Sequence, residues 1–192
     1  LRDRLAVYPL IVFIFPFYRH TMKLRYSLAL GLPLIGTSAM AADLALKLEI
    51  PQLNVAEYHR PYVAAWLETA DQKVVGNLTV LYDVKKKDKA GEKWLKDMRQ
   101  WWRKSGRDLA MPVDGVSGAT RAPGEHTLTF PGAKALLDKL PAGEYQVVVE
   151  AAREAGGREL VRVPFQWPLK SAQSVPAKGK EELGNVVVQL KP

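Results

Sequence analysis

The residues Asp114-Gly115-Val116-Ser117-Gly118-Ala119-Thr120 form a run of small or acidic side chains that ends on a hydroxyl, with no bulky neighbour until Arg121. Glycine and alanine let a backbone approach another surface closely, and loops are where such an approach is possible. A hydroxyl presented this way suits group transfer. Presenting the Thr120 oxygen to a second protein requires a protruding loop. Asp114 offers a carboxylate that such a partner can read. The same composition also makes plain turns, because Asp-Gly and Ser-Gly are both turn dipeptides. Pro123 and Gly124 bend the chain again immediately afterwards.

Other polar residues compete for a role. Tyr58-His59-Arg60 stands just before an apolar run, held by Pro61. His59 or Arg60 could contact a phosphate, since guanidinium matches phosphate geometry. The alternative is a surface loop. Arg121 and His126 flank Thr120 more closely in sequence and are candidates for the same task. Arg153, Glu154 and Glu159 surround a turn and read as a structural cross-strand ion pair. Gly115-Val116-Ser117-Gly118-Ala119 loosely mimics the nucleophile elbow of hydrolases, but that elbow needs a strand before it and a helix after it. Pro112 and Pro123 oppose both. There is no cysteine, which excludes disulfides, cysteine-held iron–sulfur clusters and c-type haem. Beyond residue 41 only His59 and His126 remain as imidazoles, with no local spacing that suggests zinc or copper.

The elements that must position these residues are mostly strands. Leu44, Leu46, Leu48 and Ile50 alternate, Tyr62–Leu67 is apolar, and Val74–Tyr82 follows with Gly76-Asn77 as a candidate bulge. The period then changes. Trp94, Leu95, Met98, Trp101 and Trp102 predict an amphipathic helix of about three to four turns, with Gly106 to end it. Trp94, Leu95, Met98 and at least one of Trp101 and Trp102 are expected to pack inward. Trp101 or Trp102 is a candidate aromatic wall for a ligand. His126, Leu128 and Phe130 resume strand character, while Ala133–Leu140 is undecided between helical and extended. Tyr145, Val147 and Val149 alternate, as do Leu160, Val161, Val163 and Phe165 approximately, around an Ala155-Gly156-Gly157 hairpin turn. Residues 171–180 read as a polar loop, and Val186–Leu190 as a last strand. Short strands separated by turns, with one inserted helix, predict a mainly β fold: an immunoglobulin-like antiparallel β-sandwich.

The N-terminal region reads as a leader. Met22, Lys23 and Arg25, the apolar stretch from Ser27 to Ile35, and Ala39-Met40-Ala41 match a secretory signal over residues 22–41, cut after Ala41 or Ala42. Residues 1–21 are expected to be an upstream, non-native extension. The alternative is an additional membrane anchor, although the Tyr8–Tyr18 run is short for a span. Residues 42–192 are then one domain, large enough for a real core. The net charge of +8 falls to +4 there, because residues 1–41 hold five Lys/Arg and one Asp, leaving 23 against 19. Nucleic acid is not an expected partner. Lys85-Lys86-Lys87-Asp88-Lys89 reads as a solvated loop.

The run from Asp114 to Thr120 resembles the D-G-x-S-G-A-T signature at which a periplasmic flavin transferase esterifies FMN onto the final threonine of electron-transport subunits. Further segments join it: Glu57-Tyr58-His59-Arg60-Pro61-Tyr62-Val63, Lys93-Trp94-Leu95-Lys96-Asp97, Gly124-Glu125-His126, Gly143-Glu144-Tyr145 and Glu150-Ala151-Ala152-Arg153-Glu154. Together they resemble predicted periplasmic proteins of the domain of unknown function 2271. The resemblance implies a periplasmic location, a single β-rich domain, and association with flavin transferases and a membrane-embedded reductase. It implies covalent FMN on Thr120, with Asp114, Gly115, Ser117, Gly118 and Ala119 as the recognition loop and Arg121 and His126 beside the flavin. Such a protein is a redox carrier rather than an enzyme with its own substrate. The competing class is a binding or structural module without cofactor.

Overall fold

Alternation along the strands sets the architecture. In the computed structural model, which describes residues 43–192, β1 (Asp43–Ile50) buries Leu44, Leu46, Leu48 and Ile50 and turns the intervening residues outward. It pairs antiparallel with β5 (Gly124–Thr129) on one side and β9 (Asn185–Lys191) on the other. β8 (Gln173–Lys178) completes a four-stranded sheet in the order β5-β1-β9-β8. The second sheet runs β4-β3-β2-β6-β7, built from β2 (Tyr62–Thr69), β3 (Val74–Tyr82), β4 (Ser117–Ala119), β6 (Gly143–Ala152) and β7 (Arg158–Trp167). The fold is mainly β, with the two sheets face to face as a sandwich.

The two central strands of the larger sheet are buried on both faces. Val63, Ala65 and Leu67 of β2, with Val147, Val149 and Ala151 of β6, join the core between the sheets. Tyr62, Ala64 and Trp66, with Val148 and Ala152, face the other way. That outer face is covered by the segment between β3 and β4, whose Leu95, Met98 and Trp101 are fully buried against it. The described residues therefore form two sheets plus one helical layer.

The helical layer corrects the expectation of one continuous helix. Glu92–Asp97 is a 3₁₀ helix, and α1 (Arg99–Lys104) begins after a break at Met98, whose φ and ψ are −75° and 73°. The cause is tertiary. The buried Glu150 carboxylate accepts the N–H groups of Gln100 (3.1 Å) and Trp101 (2.7 Å), which starts a new helix there. Trp94 is half-buried rather than core, whereas Trp101 is fully enclosed. Gly106 follows α1 because Trp101 lies on it: a Cβ there would stand 2.5 Å from the indole ring.

Further expectations change. Residues 171–180, read as loop, contain the edge strand β8, where Pro176 is tolerated because an edge has one unpaired side. Ser117–Ala119, also read as loop, is the strand β4, and it runs parallel to β3. The ion pair expected among Arg153, Glu154 and Glu159 does not form across the hairpin. Arg153 instead makes a two-pronged pair with buried Glu182 (3.0 Å each). Residues 133–140, left undecided, contain α2 (Ala133–Leu137). The bulge expected at Gly76-Asn77 is displaced: those residues pair with Leu67 and Trp66, and the register shifts on either side of them.

Glu159 acts as a local staple. Its carboxylate accepts the N–H groups of Lys180, Glu181, Glu182 and Leu183. Burial alone would raise its pKa, but the four donors outweigh it and hold the group below the ordinary 4.5. A depressed carboxylate contributes stability above its unfolded pKa, and that contribution disappears as pH falls through the folded value. Glu159→Gln should therefore be less stable than wild type in urea at neutral pH, with the difference shrinking once pH drops below about 4.5. An unchanged difference down to strongly acidic pH would contradict the assignment.

Candidate functional site

The Asp114–Thr120 run is divided by the fold. Its first part is a turn in which the N–H groups of Val116 and Ser117 both reach the Val113 carbonyl (3.2 and 2.8 Å). Ser117 Oγ closes the turn by accepting the Val113 N–H at 2.9 Å. Gly115 sits at φ 71°, a left-handed value that favours glycine. The second part is β4, with Ser117, Gly118 and Ala119 opposite Val80, Leu81 and Tyr82. The seven residues are not one protruding loop. Asp114 and Gly115 are exposed and line a cleft of about 390 Å³ with Gly76, Phe130 and Leu136. Thr120 emerges at the far end into a different cavity.

That cavity, of about 240 Å³, is lined by Tyr58, His59, Arg60, Asp83, Lys86, Trp94 and Thr120 among others. Thr120 is half-buried, and its hydroxyl donates to Asp83 Oδ1 at 3.4 Å. Asp83 Oδ2 pairs with Lys86 Nζ at 3.0 Å, and the carboxylate raises the Lys86 pKa. Tyr62 contributes to the wall. Its hydroxyl donates to the Gly91 carbonyl, and burial, reinforced by the Asp83 charge, pushes the phenol up to about 12. His59 lies 3.1 Å from Glu57 and 3.9 Å from Glu154. The Tyr58 hydroxyl is buried without a hydrogen-bond partner among the described residues, and its pKa is raised by that burial first.

A family model described as "Predicted periplasmic protein (DUF2271)" matches residues 43–185. The chain belongs to this family. Its span includes the whole Thr120 cavity and every strand except β9, of which it reaches only the first residue. Neither a curated protein nor a solved structure matches the chain. The leader expected at residues 22–41, and the extension at 1–21, lie outside the described residues.

Within this DUF2271 domain the candidates separate. His59 and Arg60 line the Thr120 cavity; Arg121 and His126 are absent from its lining. Arg121 is exposed, and His126 Nε2 is 2.7 Å from the Ala122 carbonyl at the edge of the smaller sheet. The aromatic wall is Trp94 rather than Trp101 or Trp102. Trp101 is buried with its indole N–H on Asn77 Oδ1 at 2.8 Å, and Trp102 packs on the outer face of the larger sheet. Asp83 and Lys86 are new. The register that puts Tyr82 opposite Ala119 necessarily puts Asp83 beside Thr120, and no spacing in the chain announces that parallel pairing. The cavity mixes charges: Arg60 and Lys86 against Asp83, Asp97 and Glu154, with the His59 imidazole beside them. The cationic groups could hold an anionic ligand. Among the described residues no group of three or more His, Asp or Glu could hold a metal ion, and no helix is long and apolar enough to cross a membrane.

Proposed function

We propose that this is a periplasmic electron carrier with FMN esterified to Thr120, exchanging electrons with a membrane-embedded reductase. The observation that carries the reading is the last residue of the Asp114–Thr120 run. Its hydroxyl faces a half-open cavity that also holds Arg60, Lys86 and Trp94. The periplasmic assignment draws on the leader-like residues 22–41 and on the family's description.

The residues suit such a group in part by size and in part by chemistry. A space of about 240 Å³ is below the roughly 300–1,000 Å³ of pockets that enclose a whole ligand. It would take the phosphate end of the group, and Trp94 would offer an aromatic face to the ring. Arg60 and Lys86 would hold the phosphate, and Arg60 supplies the planar fork that phosphate prefers. FMN supplies the capacity to accept and release electrons; the chain supplies attachment, orientation and charge.

Attachment needs flavin adenine dinucleotide and a flavin transferase. The Thr120 oxygen bonds to the phosphorus next to riboflavin, the diphosphate P–O bond breaks, AMP leaves, and the hydroxyl proton is released. No redox change occurs. Coexpression with a transferase should give a chain that fluoresces in a denaturing gel and gains one FMN phosphoester by mass spectrometry. Thr120→Ala should lose the adduct completely. Ser117→Ala should keep it, because the Ser117 hydroxyl is turned onto the Val113 N–H. Flavin retained in Thr120→Ala moves the site. A flavin-free wild type returns the domain to an unmodified binding module.

A further inference from the structure

We infer that Asp83 is the base that takes the Thr120 proton during attachment, and that Lys86 then passes from Asp83 to the new phosphodiester. This rests on the flavin-carrier reading and assigns a chemical role to a residue outside the Asp114–Thr120 run.

The geometry supplies the path. Thr120 Oγ1 lies within hydrogen-bonding reach of Asp83 Oδ1, 3.4 Å away. Hydrogen bonds that act in catalysis are often long before the reacting complex forms. Asp83 is fixed from several sides. Its carbonyl accepts the Lys86 N–H at 3.2 Å, and its backbone packs on Gly91, where a Cβ would stand 2.3 Å from the Asp83 oxygen. The Asp83 backbone is thus fixed beside Thr120, and Lys86 Nζ holds the carboxylate by its other oxygen, Oδ2, at 3.0 Å.

Charge gives the second argument. Before the reaction, Asp83 and Lys86 form a pair at 3.0 Å. A phosphodiester on Thr120 adds one negative charge within a few ångströms of Asp83. Two anions so close disfavour one another strongly, so one must be neutralised. The phosphorus next to riboflavin carries that charge in flavin adenine dinucleotide and keeps it in the product. An Asp83 that accepts the proton is therefore neutral while the phosphoryl anion stands beside it, and AMP carries the new charge away. Lys86 keeps one anionic partner throughout. The step balances: the Oγ1–H bond breaks, the Asp83 O–H bond forms, Oγ1 bonds to phosphorus, and AMP departs with the electrons of the broken P–O bond.

The test follows attachment in time with purified transferase and flavin adenine dinucleotide, varying the concentration of wild type, Asp83→Asn, Asp83→Glu and Thr120→Ala. Asp83→Asn keeps the side-chain shape but cannot accept the proton. Its kcat as a substrate should fall by roughly a hundredfold with KM unchanged, because Asp83 lies outside the turn and strand that carry the recognised run. Asp83→Glu should recover part of the rate. Thermal unfolding of each variant verifies the fold. A raised KM with unchanged kcat, or wild-type kinetics in Asp83→Asn, overturns the base assignment while leaving the carrier reading intact. A wild type that takes no flavin overturns both.

Discussion

Trp101→Ala should cost about 3–5 kcal/mol of unfolding free energy, the range for deleting a large buried aromatic. Trp101 is fully buried, and it packs Gly106 beneath its ring and Trp102 beside it, with centroids 6.2 Å apart. Truncation leaves a cavity under the helical layer and strands Asn77 Oδ1, which then keeps only the Ser105 hydroxyl at 3.2 Å. Trp101→Phe retains most of the volume and loses the indole N–H, so it should be clearly less costly. Urea unfolding of the three proteins checks the order. Near-wild-type stability in Trp101→Ala would mean that the helical layer contributes little to the fold.

Glu68→Ala should be comparably damaging, by about 3–5 kcal/mol, for an electrostatic reason. Glu68 is fully buried on the outer face of β2, among donors from three elements. Trp66 Nε1 lies at 2.7 Å, Lys104 Nζ at 2.6 Å and Gln146 Nε2 at 3.1 Å. Removing the carboxylate leaves the Lys104 ammonium, itself only 17% exposed, without its counter-charge. Lys104 would retain the Gln72 carbonyl at 2.6 Å, which is a hydrogen bond but not a charge partner. Glu68→Gln keeps the shape and should cost less, about 1–3 kcal/mol. Lys104→Met in the Glu68→Gln background should recover part of that loss, since the stranded cation goes too. If Glu68→Ala loses under about 1 kcal/mol, Lys104 has found water and the buried pair is not what anchors α1.

These two residues show how the layers depend on one another. Both lie between the larger sheet and the insertion, and the insertion leads into the Asp114 turn. Anchoring α1 through Glu68 and Glu150 fixes one end of the segment that ends in β4. β4 in turn carries Thr120 to Asp83.

Most of the strands were legible in the chain, those with an alternating pattern most directly. The alternation of Leu44, Leu46, Leu48 and Ile50 is the burial pattern of β1, because a strand's side chains alternate between faces. The same holds for β9 and most of β7. The mainly β fold, the hairpin turn at Ala155-Gly156-Gly157, the apolar residues Leu95, Met98 and Trp101, and the family all follow from residues read in order. What order alone did not decide depends on partners distant in sequence. β8 is a strand because Val186 and Val188 on β9 accept it, despite Pro176. The helix breaks at Met98 because Glu150 is there to receive two N–H groups. Arg153 pairs with Glu182 rather than with its hairpin neighbours, since the two meet only when the sheets close. The Thr120 cavity belongs to the same class. Thr120 and the Tyr58-His59-Arg60 cluster were visible as candidates, but Asp83, Lys86 and Trp94 join them only through the parallel pairing of β4 on β3 and the packing of the insertion. Local pattern records which face of an element is apolar; which carboxylate stands 3.4 Å from a given hydroxyl is set by register, and register is a property of the folded chain.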